Sequence, residues 1–466
     1  MTDWSIRLAS IPTRVRQQRR HPLPFTELRR VGLQIGVVAF CSVGVKIAGM
    51  LRDIVIASKF GTSDAADAFI AAWIVPQFLA LIIGNAFAGA VIPLYADAKR
   101  NGGAERASRF LSELVLVSTA ITATLTLLLI PARGPLLRLV TASFGSSKLA
   151  LTDSLWMLML PAVFLYAMTT LWGAILNTKD QFALAAISPL VIPFATIIPL
   201  VVYPQGGVKS PAVGFVVGNL IQAVWLLWGL HRSGLTCWPR WFGGLSETRG
   251  ALGQVFPYLA NGIVFGGIPV VDQALAATLG NGNLAILNYG NKLVLPVLSI
   301  GSSALATVVY PRFARLVAEE DWTRLQRQVR GYLALTLAVT IPTMLVLVFS
   351  SGLIVRLVFE HGAFDSRDTQ AVANVQAIFA LMIPAYTLSQ LLSRVINAMR
   401  AVRLLVIGST AIFVINVTGD WLFKHWFGIN GIALATVLNF MLMLVFNGYL
   451  FRRLIGERLR SVPVSP

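Results

Sequence analysis

Four ionisable residues interrupt segments that are otherwise apolar: Lys46, Arg52, Asp53 and, far along the chain, Lys292. Lys46, Gly49 and Asp53 stand at i, i+3 and i+7, which places them on one face of a helix, with Arg52 beside them. A charged side chain inside a membrane helix costs at least about 2.5 kcal/mol on insertion scales, so each one needs a partner or a water-filled cavity. Two chemistries satisfy that requirement. A salt-bridged cluster could lock the helix to its neighbours. Alternatively, Asp53 holds Arg52 in place while Lys46 presents charge to a phosphate. Lys292 either snorkels to an interface or points into the same cavity. Two or three cations converging on one cavity suit a diphosphate better than a cationic drug.

A second group could hold a hard cation. Asp272 has no basic residue within four positions and follows a segment containing Pro257, Gly262, Gly266, Gly267 and Pro269, a composition that predicts a bent or unwound helix with exposed carbonyls. Asn416 and Asp420 share a helix face at i, i+4, as do Ile432 and Thr436. Two carboxylates, an amide, a hydroxyl and a free carbonyl would make an oxygen cage for an ion such as Na⁺. The plainer alternative is that Asp420 sits near an interface beside Lys424 and His425. For Asp67, helix capping or a pairing with Lys59 is expected.

The elements that position these residues follow from composition. With 56% hydrophobic residues, 12% charged and a mean hydropathy of +0.73, the chain is an all-α polytopic membrane protein. Apolar runs near 32–58, 66–95, 109–131, 153–176, 183–203, 211–230, 252–279, 284–311, 331–350, 371–396, 404–423 and 429–451 are each long enough to cross the hydrocarbon core, which predicts about twelve transmembrane helices. The two halves repeat each other. Asp53 precedes Gly61 as Asp272 precedes Gly280, the run Gly134 to Val140 matches Gly352 to Val358, and Asn177 answers Asn397. The expected organisation is a basic tail (1–30), two pseudo-twofold related six-helix lobes (31–230 and 251–452), a linker (231–250) and a C-terminal tail (453–466). Duplicated bundles of this kind bind cargo between their halves.

The net charge of +18 does not imply nucleic acid. Most Lys and Arg residues fall before residue 31, in 97–109, 231–250 and 312–330, and after 451, which places both termini and those loops in the cytoplasm by the positive-inside rule. No basic soluble module with interleaved aromatics is present. Cys41 and Cys237 are far apart in this topology, so no disulfide framework is implied. The four histidines are scattered, and no loop is large enough for a catalytic domain, which argues against an enzyme. A cation antiporter would favour an acidic, aromatic-lined cavity over Lys46, Arg52 and Lys292.

The run Gly49-Met-Leu-Arg52-Asp53, Lys59-Phe-Gly61, Ala66-Asp67-Ala-Phe69, Pro76, Ala86-Phe87 and Ala90-Val91-Ile-Pro93 resembles the opening of the MurJ (MviN) lipid II flippases of the multidrug/oligosaccharidyl-lipid/polysaccharide exporter superfamily. Gly173 to Asn177, Asn291-Lys292-Leu, Pro311, Leu357-Val-Phe359, Gly362 and Phe364 extend the likeness over residues 35–450. The resemblance implies two lobes rocking around a cationic cavity in the bacterial cytoplasmic membrane. They would act as a monomer and move an undecaprenyl-diphosphate-linked saccharide to the outer leaflet for peptidoglycan biosynthesis. It implies substrate contacts at Lys46, Arg52, Asp53 and Lys292, with Lys46 and Lys292 standing where Arg is usual. It also implies a Na⁺ site at Asp272, Asn416, Asp420, Ile432 and Thr436. Leu79 to Leu81 and Gly84-Asn85 replace a basic pair and a Glu of the family pattern, and the chain is expected to lack two further helices. Those departures leave room for an exopolysaccharide or O-antigen precursor as the cargo.

Overall fold

The computed structural model describes residues 25–235, 238–305 and 309–460, which are helical almost throughout with no strand among them. The first 24 residues of the expected basic tail, Cys237 and residues 461–466 lie outside this description. In chain order the helices are α1 (Phe25–Phe60), α2 (Asp64–Val140), α3 (Ser146–Met159), α4 (Pro161–Asn177), α5 (Phe182–Ile187), α6 (Val191–Val202), α7 (Lys209–Arg232) and α8 (Ser246–Ala277). They continue with α9 (Asn283–Ala304), α10 (Tyr310–Ala318), α11 (Trp322–Phe349), α12 (Ser351–Phe359), α13 (Ser366–Ala380), α14 (Met382–Ala398), α15 (Val402–Phe427) and α16 (Ile429–Arg460).

Among the described residues, 8 helical segments are long and apolar enough to cross a membrane, or 9 when α3 and α4, bent by 42°, count as one span. The expected twelve is consistent with this. The 77 residues of α2 far exceed the roughly 20 that one crossing needs. Its backbone leaves the helical region at Gly102 and Gly103, where φ of +71° at Gly103 favours glycine, so the runs 66–95 and 109–131 are two crossings on either side of a tight break. A count of twelve further requires the charge-bearing α1 and the Gly-rich α8, which are not among those 8 segments, to cross as well.

Packing repeats between the halves: α6 lies on α7 as α15 lies on α16, α4 on α7 as α14 on α16, and α1 on α6 as α8 on α15. Small residues make the close approaches. Ala68, Ala71, Ala72 and Ala80 of α2 are fully buried against a core that includes Leu155, Trp156 and Met159. Gly84 sits against Ala167 and Thr170 of α4, while Leu81 and Asn85 beside it are exposed.

One local expectation is corrected. α8 is continuously helical from Ser246 to Ala277, with no interruption at its glycines. Gly262 and Gly266 instead receive Ile82 and Phe78 of α2, and Gly267 receives Phe413 of α15. Glycine in an apolar helix signals either a break or a close neighbour, and here the neighbours account for it.

Candidate functional site

The ionisable residues of α1 and α9 meet across the interface between the halves. Asp53, 8% exposed, accepts at Oδ1 from Arg52 Nε (3.0 Å) and Nη2 (2.8 Å), and its Oδ2 pairs with Lys292 Nζ at 2.8 Å. Two turns back along α1, Lys46 Nζ donates to Ser299 Oγ, two turns further along α9. The two helices are thus antiparallel and joined by two polar rungs. Lys292 also lies 5.7 Å from the Tyr289 ring centre, a cation–π contact. Arg52, Asp53, Lys292 and Ser299 line a cavity of about 870 Å³ whose walls come from both halves, while Lys46 is exposed at its rim. The opposite seam differs in character: along α2 and α8, Ile82 and Phe78 seat directly on glycines.

The second constellation is only partly assembled by direct contacts. Asp272 is buried at the cavity wall and accepts from Thr436 Oγ1 at 3.1 Å, an oxygen also 3.1 Å from the Ile432 carbonyl. Asp420 is fully buried, with its carboxyl within electrostatic range of Asp272, and Asn416, one turn before it on α15, is buried as well. The Asp272 and Asp420 carboxyls lie within hydrogen-bond reach of each other, but no other residue reaches Asp272 Oδ1, either Asp420 oxygen or the two polar atoms of Asn416. Two buried carboxyls this close cannot both carry charge without a cation between them, or must share a proton. No third acidic, His or Cys side chain joins them among the described residues, so the donors are two carboxylates and neutral oxygens. That donor set fits a hard monovalent cation such as Na⁺ better than a transition metal.

Asp67 caps a helix, though of the other half, and its partner is not Lys59. Its Oδ2 is 2.6 Å from Lys148 Nζ and accepts from Gly282 N (2.7 Å), while Oδ1 accepts from Ala285 N (2.8 Å), at the start of α9. Lys148 also pairs with Asp64 at 2.9 Å. Around this cap the halves are sewn together. Thr62 Oγ1 donates to Asp368 (2.5 Å), Ala363 N donates to Ser58 O (2.8 Å) and Ser143 Oγ donates to Ala277 O (2.5 Å). Tyr289, Phe359 and Phe364 stack beneath the seam, with centroids 5.4 to 6.0 Å apart. This end of the cavity is closed.

Sequence reasoning missed Glu113, which is fully buried in α2. It accepts from Phe242 N (2.7 Å), Gly244 N (3.0 Å), Leu245 N (2.9 Å) and Thr248 Oγ1 (2.7 Å), fixing the segment between α7 and α8 to α2. Arg106 adds a two-pronged pair to Glu247 at 3.0 and 3.1 Å, which pulls the Glu247 carboxyl down to about 2. A lone acidic residue inside an apolar run was the available signal.

A helical membrane bundle with two similarly packed halves, sealed at one end around a cavity with an ionic wall, defines an alternating-access transporter. The chain belongs to the lipid II flippase MurJ family, matching it over residues 56–462, so it is a transporter and not an enzyme. It is 26% identical over 450 residues to the probable lipid II flippase MurJ of Synechocystis sp., covering 90% of this chain and 81% of that one. It is 25% identical over 392 residues to the lipid II flippase MurJ of Thermosipho africanus, covering 84% and 79%. Among solved structures, the inward closed conformation of lipid II flippase MurJ superposes with a TM-score of 0.78 at 23% identity, covering 91% of this chain and 90% of that one. An inward-facing multidrug resistance MATE family transporter of the MOP superfamily gives 0.73 at 14%, covering 90% and 96%. The expected family is thereby borne out, and the likeness to the MATE family transporter is one of fold.

Proposed function

We propose that this chain flips a polyprenyl-diphosphate-linked saccharide of the lipid II kind across the bacterial cytoplasmic membrane, with the diphosphate held by Arg52 and Lys292. The observation that carries this reading is two cations fixed on one carboxylate in the cavity wall of a member of this family. Asp53 holds both donors in place and compensates only one of their charges, so this seam, apart from the Asp272 side of the cavity, keeps a positive charge preorganised for an anion. Lys46, at the rim, meets the head group as it passes between α1 and α9. That seam is the separable one, because ionic rungs can exchange their partners for water or phosphate, whereas the glycine-packed α2–α8 seam would have to give up buried apolar contact.

By the positive-inside rule the Asp67 end faces outward and both termini lie in the cytoplasm. The lobes 31–230 and 251–452 rock as monomer bodies about the cavity, and the 231–250 segment, held by Glu113, carries α8 with α2. Asp272, Asn416, Asp420 and Thr436, with the Ile432 carbonyl, hold a Na⁺ ion. When bound, the ion supplies the positive charge that the two buried carboxylates lack.

Replacement of the resident flippase in a bacterium tests the reading. The wild-type chain should restore growth and Arg52→Ala, present at equal level in the membrane, should not. Full growth on Arg52→Ala would overturn it. An accumulating cytoplasmic intermediate other than lipid II, on depletion of the protein from its own cells, would reassign the cargo to another saccharide.

A further inference from the structure

On the diphosphate reading, the cationic seam meets a group that every polyprenyl-diphosphate-linked saccharide shares, so discrimination among those saccharides must lie elsewhere in the cavity. The wall supplied by the second half carries groups suited to that task. Asn439, one turn beyond Thr436 on α16, lines the cavity and is 1% exposed, and neither its Oδ1 nor its Nδ2 has a hydrogen-bond partner. Asn288 and Asn291 of α9 line the same cavity, and the Oδ1 of each is also without a partner. The Asn288 Nδ2 makes one long bond, 3.4 Å, to Gln273 Oε1. Buried polar atoms are nearly always paired in folded proteins, so three such amides on the wall of one cavity require an explanation. The facing wall is aromatic: Phe69, Trp73, Tyr166 and Phe215 line it, with Trp73 and Phe215 edge to face at 4.8 Å.

We propose that Asn288, Asn291 and Asn439 form a head-group subsite that binds the hydroxyl and amide groups of the saccharide, while the aromatic wall takes the apolar faces of its rings. The proposal rests on the diphosphate reading of Arg52 and Lys292. A carboxamide presents a donor and an acceptor side by side, the pattern that sugar hydroxyls and amide substituents also present. A site whose buried polar groups are satisfied only by the ligand rejects an analogue lacking them far more strongly than an apolar site does.

The test compares two probes on the purified full-length protein: undecaprenyl diphosphate and the same lipid carrying a disaccharide. The wild-type protein should prefer the saccharide-bearing lipid by on the order of tenfold or more. Asn291→Leu and Asn439→Leu should each bring the ratio toward one, and Asn439→Gln should retain most of it. If the leucine variants melt early, Asn291→Ser and Asn439→Ser carry the same comparison. A ratio that stays at its wild-type value in these variants overturns the subsite, as does a fall in affinity for both lipids with the ratio preserved. Arg52→Ala separates the two claims: it should weaken both lipids alike and leave the ratio intact. If Arg52→Ala leaves both affinities intact, the diphosphate reading fails, and the subsite falls with it.

Discussion

Arg52 is the residue on which the account depends most. Two bonds to Asp53 hold its guanidinium half-buried at the cavity wall, and a charge-assisted bond from it to a phosphate oxygen would contribute about 1.5–3 kcal/mol. Arg52→Ala should therefore lower transport roughly 10- to 100-fold, while Arg52→Lys keeps part of it, because ammonium groups already serve at Lys46 and Lys292. Transport measured in membranes with matched protein levels checks both variants. The candidate site was legible in the sequence at this scale for a physical reason. Charge in an apolar helix is expensive, so Lys46, Arg52, Asp53, Lys292 and Asp272 each marked themselves. What could not be read was pairing between distant segments: that Lys292 reaches Asp53, that Lys148 and not Lys59 meets Asp67, or that Glu113 gathers three backbone amides.

Among the elements, the turns that close the outer end are where the halves must part. Thr62 and Asp368 bond directly, and Gly61, Gly282 and Gly362 hold positive φ with the backbone of another turn against each of them. Oxidising a Thr62→Cys, Asp368→Cys pair should stop transport and reduction should release it; unchanged transport with the crosslink fully formed would contradict the rocking of the halves. Cys41 and Cys237 would first be replaced. At the opposite end, the Arg106–Glu247 pair yields a pH prediction. The folded Glu247 value lies below the ordinary 4.5, so its contribution to holding the linker is present above about pH 4.5 and is lost as pH falls toward about 2. Fluorescence of the exposed Trp238 and Trp241 should report this loosening in the wild type, and Glu247→Gln should remove that pH-dependent step. Helix existence was readable from apolar runs. Helix continuity was not, because the glycines of α8 serve close packing against α2 and α15, and only the three-dimensional neighbours distinguish that from a break.

For the whole molecule, the duplicated sequence became a duplicated packing scheme, with the cationic seam at α1 and α9 and the buried Asp272 and Asp420 carboxylates in the second half. If those carboxylates hold Na⁺, the purified protein should melt higher in NaCl than in an organic-cation chloride at equal ionic strength. Asp272→Asn and Asp420→Asn should each remove the difference, and Asp53→Asn should leave it. A shift controlled by Asp53 alone would place the ion elsewhere. On the proposed function, a lipid-linked diphosphate crosses the membrane through the Arg52–Lys292 cavity. Its most direct measurement is the rate at which a fluorescent lipid II becomes accessible to a membrane-impermeant quencher in proteoliposomes containing the purified chain. Exposure should be rapid with the wild-type protein and should fall to the protein-free rate with the Arg52→Ala, Lys292→Ala double variant. Exposure at the wild-type rate by the double variant would contradict it.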